Sequence, residues 1–94
     1  MKITVRSVMH ISKILSGRNI CIEIDAPATL GSLLQELTAI YGQEFYDAVC
    51  NENGYPEKSI AILINGVSAA AKQGVGTAIN EGDDVLILPA ISGG

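Results

Sequence analysis

The residues with the clearest chemical potential are the last three, Ser92, Gly93 and Gly94. Glycine has no Cβ and reaches backbone conformations that are closed to other residues. Such an end could thread a narrow channel and present its terminal carboxylate inside another protein's active site. The alternative is an ordinary solvated chain end with no role. If the end does react, the reacting group is the carboxylate of Gly94.

Other reactive side chains are few. The single histidine, His10, has no nucleophile placed near it by sequence, so we expect a surface or hairpin residue. Cys21 and Cys50 lie too far apart to build a zinc site with one histidine. Since Met1–Ser12 lacks the continuous apolar core of a secretion signal, we expect both thiols to be reduced in a cytoplasm. We expect Cys21 to be a small, outward-facing residue, and the role of Cys50 stays open.

The glycines of Gly74-Val75-Gly76 are the nearest approach to a phosphate-binding loop. This stretch lacks the further glycine, the lysine and the hydroxyl residue that such a loop needs, so we interpret it as a flexible turn. We therefore expect this chain to bind no metal and no nucleotide itself.

Composition indicates a single folded domain. The chain has 94 residues, of which 48% are hydrophobic and 17% charged, enough apolar surface to offset the entropy of folding. We expect the domain to cover residues 1–89, followed by a flexible tail over residues 90–94. No run of eighteen apolar residues occurs, so we expect no membrane span.

The net charge is negative. Six Lys and Arg against ten Asp and Glu give a formal charge of -4, which opposes binding to nucleic acid. A partner with a basic surface is the better electrostatic match.

The first half of the chain predicts two strands and a helix. Polar and apolar residues alternate from Ile3 to Met9 and again from Asn19 to Asp25, which favours two antiparallel strands. Thr29 can cap a helix whose apolar residues recur at helical spacing up to Tyr41, and Gly42 is suited to its C-terminal end. Four leucines of this helix are expected in the core: Leu30, Leu33, Leu34 and Leu37.

The second half predicts shorter strands. The segment Gln43–Ser59 is the least regular, with one short helical turn expected around Phe45, Tyr46 and Val49. The apolar run Ile60–Ile64 is typical of a strand buried on both faces. Asn65-Gly66 favours a type I′ hairpin into a short strand through Val67 and Ala69.

After this hairpin, we expect Thr77–Ile79 to pack one apolar side chain before a turn at Asn80–Asp83. Val85–Leu88 is the last predicted strand, and Pro89 marks where the tail leaves it. The order of elements predicts an α+β fold, with a mixed sheet of four to five strands and one main helix packed on one face.

Three blocks of sequence together carry a resemblance. Ile64-Asn65-Gly66, then Asn80-Glu81-Gly82-Asp83-Asp84-Val85, then the terminal Gly93-Gly94 resemble the ubiquitin-like β-grasp sulfur carriers of the MoaD/ThiS type. The likeness is greatest to the small subunit of molybdopterin synthase and extends over nearly the whole chain. The chain departs from that family in its tail, Pro89-Ala90-Ile91-Ser92, where a second proline and an alanine are common. Carriers of the thiamin pathway share the Gly-Gly end and are the nearest rival.

The resemblance implies a mechanism and partners. An E1-like enzyme would use ATP to adenylate Gly94, and a sulfur donor would then convert the adenylate to a thiocarboxylate. The large subunit of molybdopterin synthase would hold the pterin substrate, so this chain would not be catalytic alone. Conjugation of Gly94 to a lysine of a target protein, as in a protein modifier, starts from the same adenylate and stays open. A third possibility is an interaction domain that does not use its tail.

In the resembling family, a sheet face that includes the last strand packs on the partner enzymes. Because side chains alternate along a strand, the run Val85–Leu88 cannot point wholly into one core. We therefore expect Leu86, Leu88 and Ile91 to contact a partner, with Ser92 and Gly93 threading its channel. The alternative is that a loop of the same chain covers these residues.

Overall fold

The computed structural model describes residues 1–89. A five-stranded mixed sheet forms the centre. The five strands are β1 (Lys2–Ser7), β2 (Asn19–Glu23), β4 (Ile60–Ile64), β5 (Val67–Ser68) and β7 (Asp84–Pro89). Their spatial order is β2, β1, β7, β4, β5. A separate pair joins β3 (Ala28–Thr29) antiparallel to β6 (Ala78–Ile79). The predicted α+β architecture is confirmed.

The main helix, α2, runs over Leu30–Tyr41 as predicted. Thr29 accepts a hydrogen bond from the backbone N–H of Ser32, and the Ser32 hydroxyl accepts one from the N–H of Thr29. This reciprocal capping box satisfies donors that a helix start leaves unpaired. At the other end, Gly42 has a φ of 84°, a conformation that glycine adopts without strain.

The core lies between α2 and one face of the sheet. The four predicted leucines of α2 are buried, and they pack against alternate residues of the strands. The strand residues on this face are Ile3 and Val5 of β1, Ile22 of β2, Ile60, Ile62 and Ile64 of β4, and Val85 and Ile87 of β7. Burial of this face therefore sets the register of every long strand.

The connection between β1 and β2 corrects one prediction. The strand ends at Ser7, and Met9 begins a short helix, α1 (Met9–Ile14), instead of extending the strand. Ile11 and Leu15 are buried with 0% and 1% exposure, so this helix closes one end of the core. The alternation that favoured a longer strand was overridden by the burial of these two residues.

The segment after α2 is more regular than predicted. A second short helix, α3 (Gln43–Val49), buries Phe45 and Val49 completely. Beyond it, the side-chain oxygen of Asn51 accepts hydrogen bonds from the N–H groups of Asn53 and Tyr55, which shapes the loop. The predicted helical turn is thus a helix of seven residues.

The strand β4 corrects another prediction. Ile60, Ile62 and Ile64 are buried, whereas Ala61 and Leu63 are only half-buried on the opposite face. The strand is therefore buried on one face and not on both. The hairpin that follows is confirmed, because Asn65 and Gly66 have φ values of 52° and 84°.

The residues after this hairpin differ in detail from the prediction. The returning strand is only Val67–Ser68, and Ala69 begins a short 3-10 helix over Ala69–Ala71. A second 3-10 turn over Gly74–Gly76 replaces the expected flexible turn. Ile79 is the one apolar side chain that the predicted Thr77–Ile79 segment packs into the core, with 2% exposure.

Candidate functional site

The strand that leads into the tail lies at the centre of the sheet. β7 runs parallel to β1 and antiparallel to β4, so it is paired along both edges. Its last residue, Pro89, lies opposite Ile60. The predicted tail, residues 90–94, lies outside the described residues 1–89, and with it the predicted site residues Ile91, Ser92, Gly93 and Gly94. The part of the chain that the structure describes thus ends with the last residue of the central strand.

The turn before β7 fixes where this strand begins. Asp83 accepts hydrogen bonds from the backbone N–H of Asn80 at 2.8 Å and from the side-chain amide of Asn65 at 3.0 Å. Gly82 has a φ of 81° and donates its N–H to the carbonyl oxygen of Lys2. These contacts join the turn to β1 and to the hairpin that follows β4, so the register of β7 is defined from its first residue.

Along β7, apolar side chains alternate between the two faces. Val85 and Ile87 are completely buried in the hydrophobic core. Leu86 and Leu88 lie on the other face of the sheet and are half-buried. The expectation that two of these four residues point away from the core is confirmed. Contact of Leu86 and Leu88 with a partner stays a prediction.

Two apolar residues on the same face were missed by the sequence reasoning. Leu63 lies opposite Leu86, and Ala61 lies opposite Leu88, in the antiparallel register of β4 and β7. Together these four residues form what we call the apolar patch: Ala61, Leu63, Leu86 and Leu88. All five residues of Ile60–Ile64 are apolar, so the sequence has no polar–apolar alternation there that could have shown which of them face away from the core.

The patch lies on the neighbouring strands β4 and β7, in one half of the sheet. β7 runs from Asp84 to Pro89, so Leu88 is the patch residue closest to the start of the tail. The other half of the same face carries polar residues, among them Thr4, which lies beside Asp84 on one side and Cys21 on the other. A partner that received the tail could therefore cover the patch at the same time.

An ion pair borders the patch. The guanidinium of Arg6 donates from Nε to both carboxylate oxygens of Asp84, at 2.8 and 3.1 Å, and from Nη2 to Oδ2 at 2.7 Å. This hydrogen bonding, with the charge of Asp84, raises the pKa of Arg6 above its usual value. Arg6 lies beside Leu86 in the parallel register of β1 and β7. Alternation along β1 puts Arg6 on the face opposite to the buried Ile3 and Val5, but it does not indicate the partner of Arg6.

The remaining reactive residues are dispersed. Cys21 is exposed at the edge strand, as predicted, and His10 is exposed on α1. Cys50, at the end of α3, is 4% exposed, and burial, with a smaller contribution from the charge of Glu57, raises the pKa of its thiol. Within residues 1–89, no three His, Cys, Asp or Glu side chains cluster as metal ligands would. No helix in that range is long and apolar enough to cross a membrane.

Comparison with known proteins places the chain in a family. A model of the ThiS family matches residues 12–94. A putative sulfur carrier protein from Archaeoglobus fulgidus is 31% identical over 74 residues, which cover 78% of this chain and 83% of the relative. Small archaeal modifier protein 3 from Haloferax volcanii is 27% identical over 97 residues and covers all of both chains.

A solved structure supports the fold. A putative molybdopterin converting factor subunit 1 from Pyrococcus furiosus superimposes with a TM-score of 0.76 at 20% identity, over 97% of this chain and 99% of that one. Such low identity supports the shared ubiquitin-like β-grasp fold alone. The extent of the family match and the relative at 31% identity show that this chain belongs to the ThiS family, a group of ubiquitin-like sulfur carriers and protein modifiers.

Proposed function

We propose that this protein is a sulfur carrier whose Gly94 carboxylate is adenylated, converted to a thiocarboxylate and used to donate sulfur in molybdopterin biosynthesis. One observation carries the proposal. In a member of the ThiS family, the chain ends in Gly93-Gly94, and Gly94 stands five residues beyond Pro89, the end of the central strand. A carboxylate at that distance from a rigid sheet can be delivered to a partner's active site while the sheet itself stays docked.

The chemistry begins with activation. A free carboxylate is a poor electrophile, because its charge is delocalised and its leaving group would be oxide. In the proposed first step, an oxygen of the Gly94 carboxylate attacks the α-phosphorus of ATP, and pyrophosphate leaves. A sulfide-equivalent donor then attacks the acyl carbon, AMP leaves, and a thiocarboxylate remains. Its sulfur is a softer and stronger nucleophile than the original oxygen.

The partners supply the catalytic groups. We propose that the E1-like enzyme binds ATP, that this chain binds no cofactor, and that the large subunit of molybdopterin synthase holds the pterin. This chain contributes a reactant in a fixed position, so the rate gain comes from its orientation. The apolar patch and Ile91 would contact the partner, and Ser92 and Gly93 would thread its channel. A basic rim on the partner would match the net charge of -4.

A second candidate function has its own support. The full-length match to small archaeal modifier protein 3 favours conjugation of Gly94 to a lysine amine of a target protein. Both functions pass through the same adenylate, and they differ in whether sulfide or an amine displaces AMP. Sulfur delivery to thiamin or to another product would differ only in the final acceptor.

A sulfur-transfer assay tests the proposed pathway. The chain would be thiocarboxylated with radiolabelled sulfur and mixed with the large subunit of molybdopterin synthase and the sulfur-free pterin precursor. Label in the pterin product supports the proposal, and a chain lacking Gly94 serves as the matched control. Label that stays on the carrier in this mixture contradicts the molybdopterin role. In a separate mixture of the unmodified chain, the E1-like enzyme, ATP and added proteins, conjugates with lysines favour the modifier.

A further inference from the structure

Arg6 lies in a row of residues that crosses the sheet from its polar half to the apolar patch. Arg6 is beside Leu86 in the register of β1 and β7, and Leu86 is opposite Leu63 in the register of β7 and β4. The cation is therefore continuous with the proposed docking face. A partner that covers Leu86 and Leu63 would have Arg6 at the border of the covered surface.

The Arg6 side chain is held in one orientation. Its Nε and Nη2 atoms bind the Asp84 carboxylate in a fork, with a shortest distance of 2.7 Å. Asp84 is itself anchored, because its N–H donates to the side-chain oxygen of Asn65 at 3.0 Å. A planar guanidinium that is bound at two atoms has little freedom left, so less entropy is lost when a partner binds it.

Part of the guanidinium remains available. The Arg6 side chain is 46% exposed and that of Asp84 is 33% exposed. Within residues 1–89, Nη1 makes no hydrogen bond, so both of its N–H groups can donate to another molecule. An exposed ion pair adds little to folding stability. Arginines beside apolar residues are, in contrast, enriched among the few interface residues that dominate binding energy.

We propose that Arg6 is a specificity-determining contact for the E1-like activating enzyme. That enzyme would pack an apolar surface on Leu63, Leu86 and Leu88 and place a carboxylate or carbonyl oxygen against Nη1 of Arg6. The ion pair with Asp84 orients the cation toward this acceptor. The inference rests on the proposed function, because it uses the same docking face and names the chemistry of the partner that meets it.

The test is ATP–pyrophosphate exchange with the full chain and the E1-like enzyme from the same genome. The measured quantities are kcat and the KM for the carrier. Arg6→Ala should raise KM about tenfold or more. It should leave kcat within about twofold, since adenylation occurs at Gly94 and not at Arg6. Lys72→Ala, which removes an exposed cation outside the sheet, is the matched control and should leave KM unchanged.

Three further variants separate recognition from simple support of the fold. Asp84→Ala breaks the same ion pair but keeps the cation, so its KM should rise less than that of Arg6→Ala. Arg6→Lys keeps the charge without the fork and should be intermediate. The double variant R6D/D84R can rebuild the ion pair with its charges reversed, and it should not restore the KM of the unaltered chain. Thermal unfolding of each variant verifies that the protein remains folded.

Each other outcome overturns a stated claim. If Arg6→Ala and Asp84→Ala give equal KM values, and the double variant R6D/D84R recovers the KM of the unaltered chain, the ion pair only supports the strand. An unchanged KM for Arg6→Ala, with a raised KM for Leu86→Ala, would refute the role of Arg6 and leave the carrier function intact. If the unaltered chain supports no ATP–pyrophosphate exchange with an enzyme that is active on another carrier, both the role of Arg6 and the proposed carrier function are refuted.

Discussion

Asn65 and Asp84 bind each other through both backbone and side chain. The N–H of Asn65 donates to the carbonyl oxygen of Asp84 at 2.7 Å, and the N–H of Asp84 donates to the Asn65 side-chain oxygen at 3.0 Å. The two residues belong to the Asn-Gly and Gly-Asp-Asp-Val blocks, which are separate in sequence. Their contact makes the two blocks one structural unit that fixes the start of β7.

Loss of the Asn65 side chain should therefore destabilise the fold. Asn65→Ala removes the side-chain hydrogen bonds to Asp83 and Asp84, and it puts alanine, whose side chain forms no hydrogen bond, at a φ of 52°. We expect a loss of about 1–3 kcal/mol in the free energy of unfolding, measured by urea denaturation. Asn53→Ala is the control, because the Asn53 side chain makes no hydrogen bond within residues 1–89. Equal midpoints for the two variants would contradict the anchoring role.

Adjacent residues of β7 should separate stability from binding. Ile87 is fully buried, so Ile87→Ala should cost about 2–5 kcal/mol of unfolding free energy. Leu86 is half-buried on the opposite face, so Leu86→Ala should cost less than about 1.5 kcal/mol. Urea denaturation measures both values.

Binding to the activating enzyme should depend on the exposed face of β7 and therefore on Leu86. Leu86→Ala, although the milder variant for stability, should weaken binding to the E1-like enzyme, as measured by calorimetry. Leu86→Ala with unchanged affinity would refute the apolar patch as a docking face. Val67→Ala, an exposed apolar residue outside the patch, is a suitable control.

The two cysteines should differ in reactivity. Cys21 is exposed, whereas Cys50 is buried and its thiol has a raised pKa. Because the thiolate is the reactive form, iodoacetamide near neutral pH should modify Cys21 first and Cys50 only slowly. Mass spectrometry of digested peptides measures the two rates. Similar rates of modification for the two cysteines in the folded protein would contradict this prediction.

The raised pKa also predicts a dependence of stability on pH. The folded state holds the Cys50 proton more tightly than the unfolded state, so the unfolded thiol ionises first as pH rises. Stability should therefore decrease above the unfolded thiol pKa, which is about 8.5. The decrease should level off above the folded pKa. Cys50→Ala should reduce this pH dependence when the free energy of unfolding is measured from below to above the thiol pKa. An unchanged slope of free energy against pH in Cys50→Ala would contradict the prediction.

Local signals predicted the parts of the fold that are determined locally. The helix Leu30–Tyr41 was predicted with its observed bounds, because Thr29 and Gly42 have the chemistry of helix ends. The Asn65-Gly66 hairpin was predicted because both residues tolerate positive φ. In each case a few neighbouring residues contain the necessary information.

Features that depend on distant contacts were missed. The helix at Met9–Ile14 forms because Ile11 and Leu15 fill one end of the core, and no local sequence pattern predicts this packing. The pairing of Ala28 with Ile79 joins two strands of two residues each. Such short strands exist only through their partner, so alternation along the chain cannot reveal them.

The same limit applies to the candidate site. Alternation along one strand correctly separated Leu86 and Leu88 from Val85 and Ile87. The neighbours of Leu86, which are Arg6 on one side and Leu63 on the other, depend on the order and register of three strands. Those relationships form only on folding, so the ion pair and the full patch required the structure.

The central claim is that the protein acts through the carboxylate of Gly94. The most direct measurement is the intact mass of the chain after incubation with its E1-like enzyme, ATP and a sulfide donor. The account predicts a mass gain equal to the exchange of one oxygen for one sulfur, located by fragmentation at the C-terminal residue. An unchanged mass, under conditions in which the enzyme adenylates and thiocarboxylates another carrier, would contradict it.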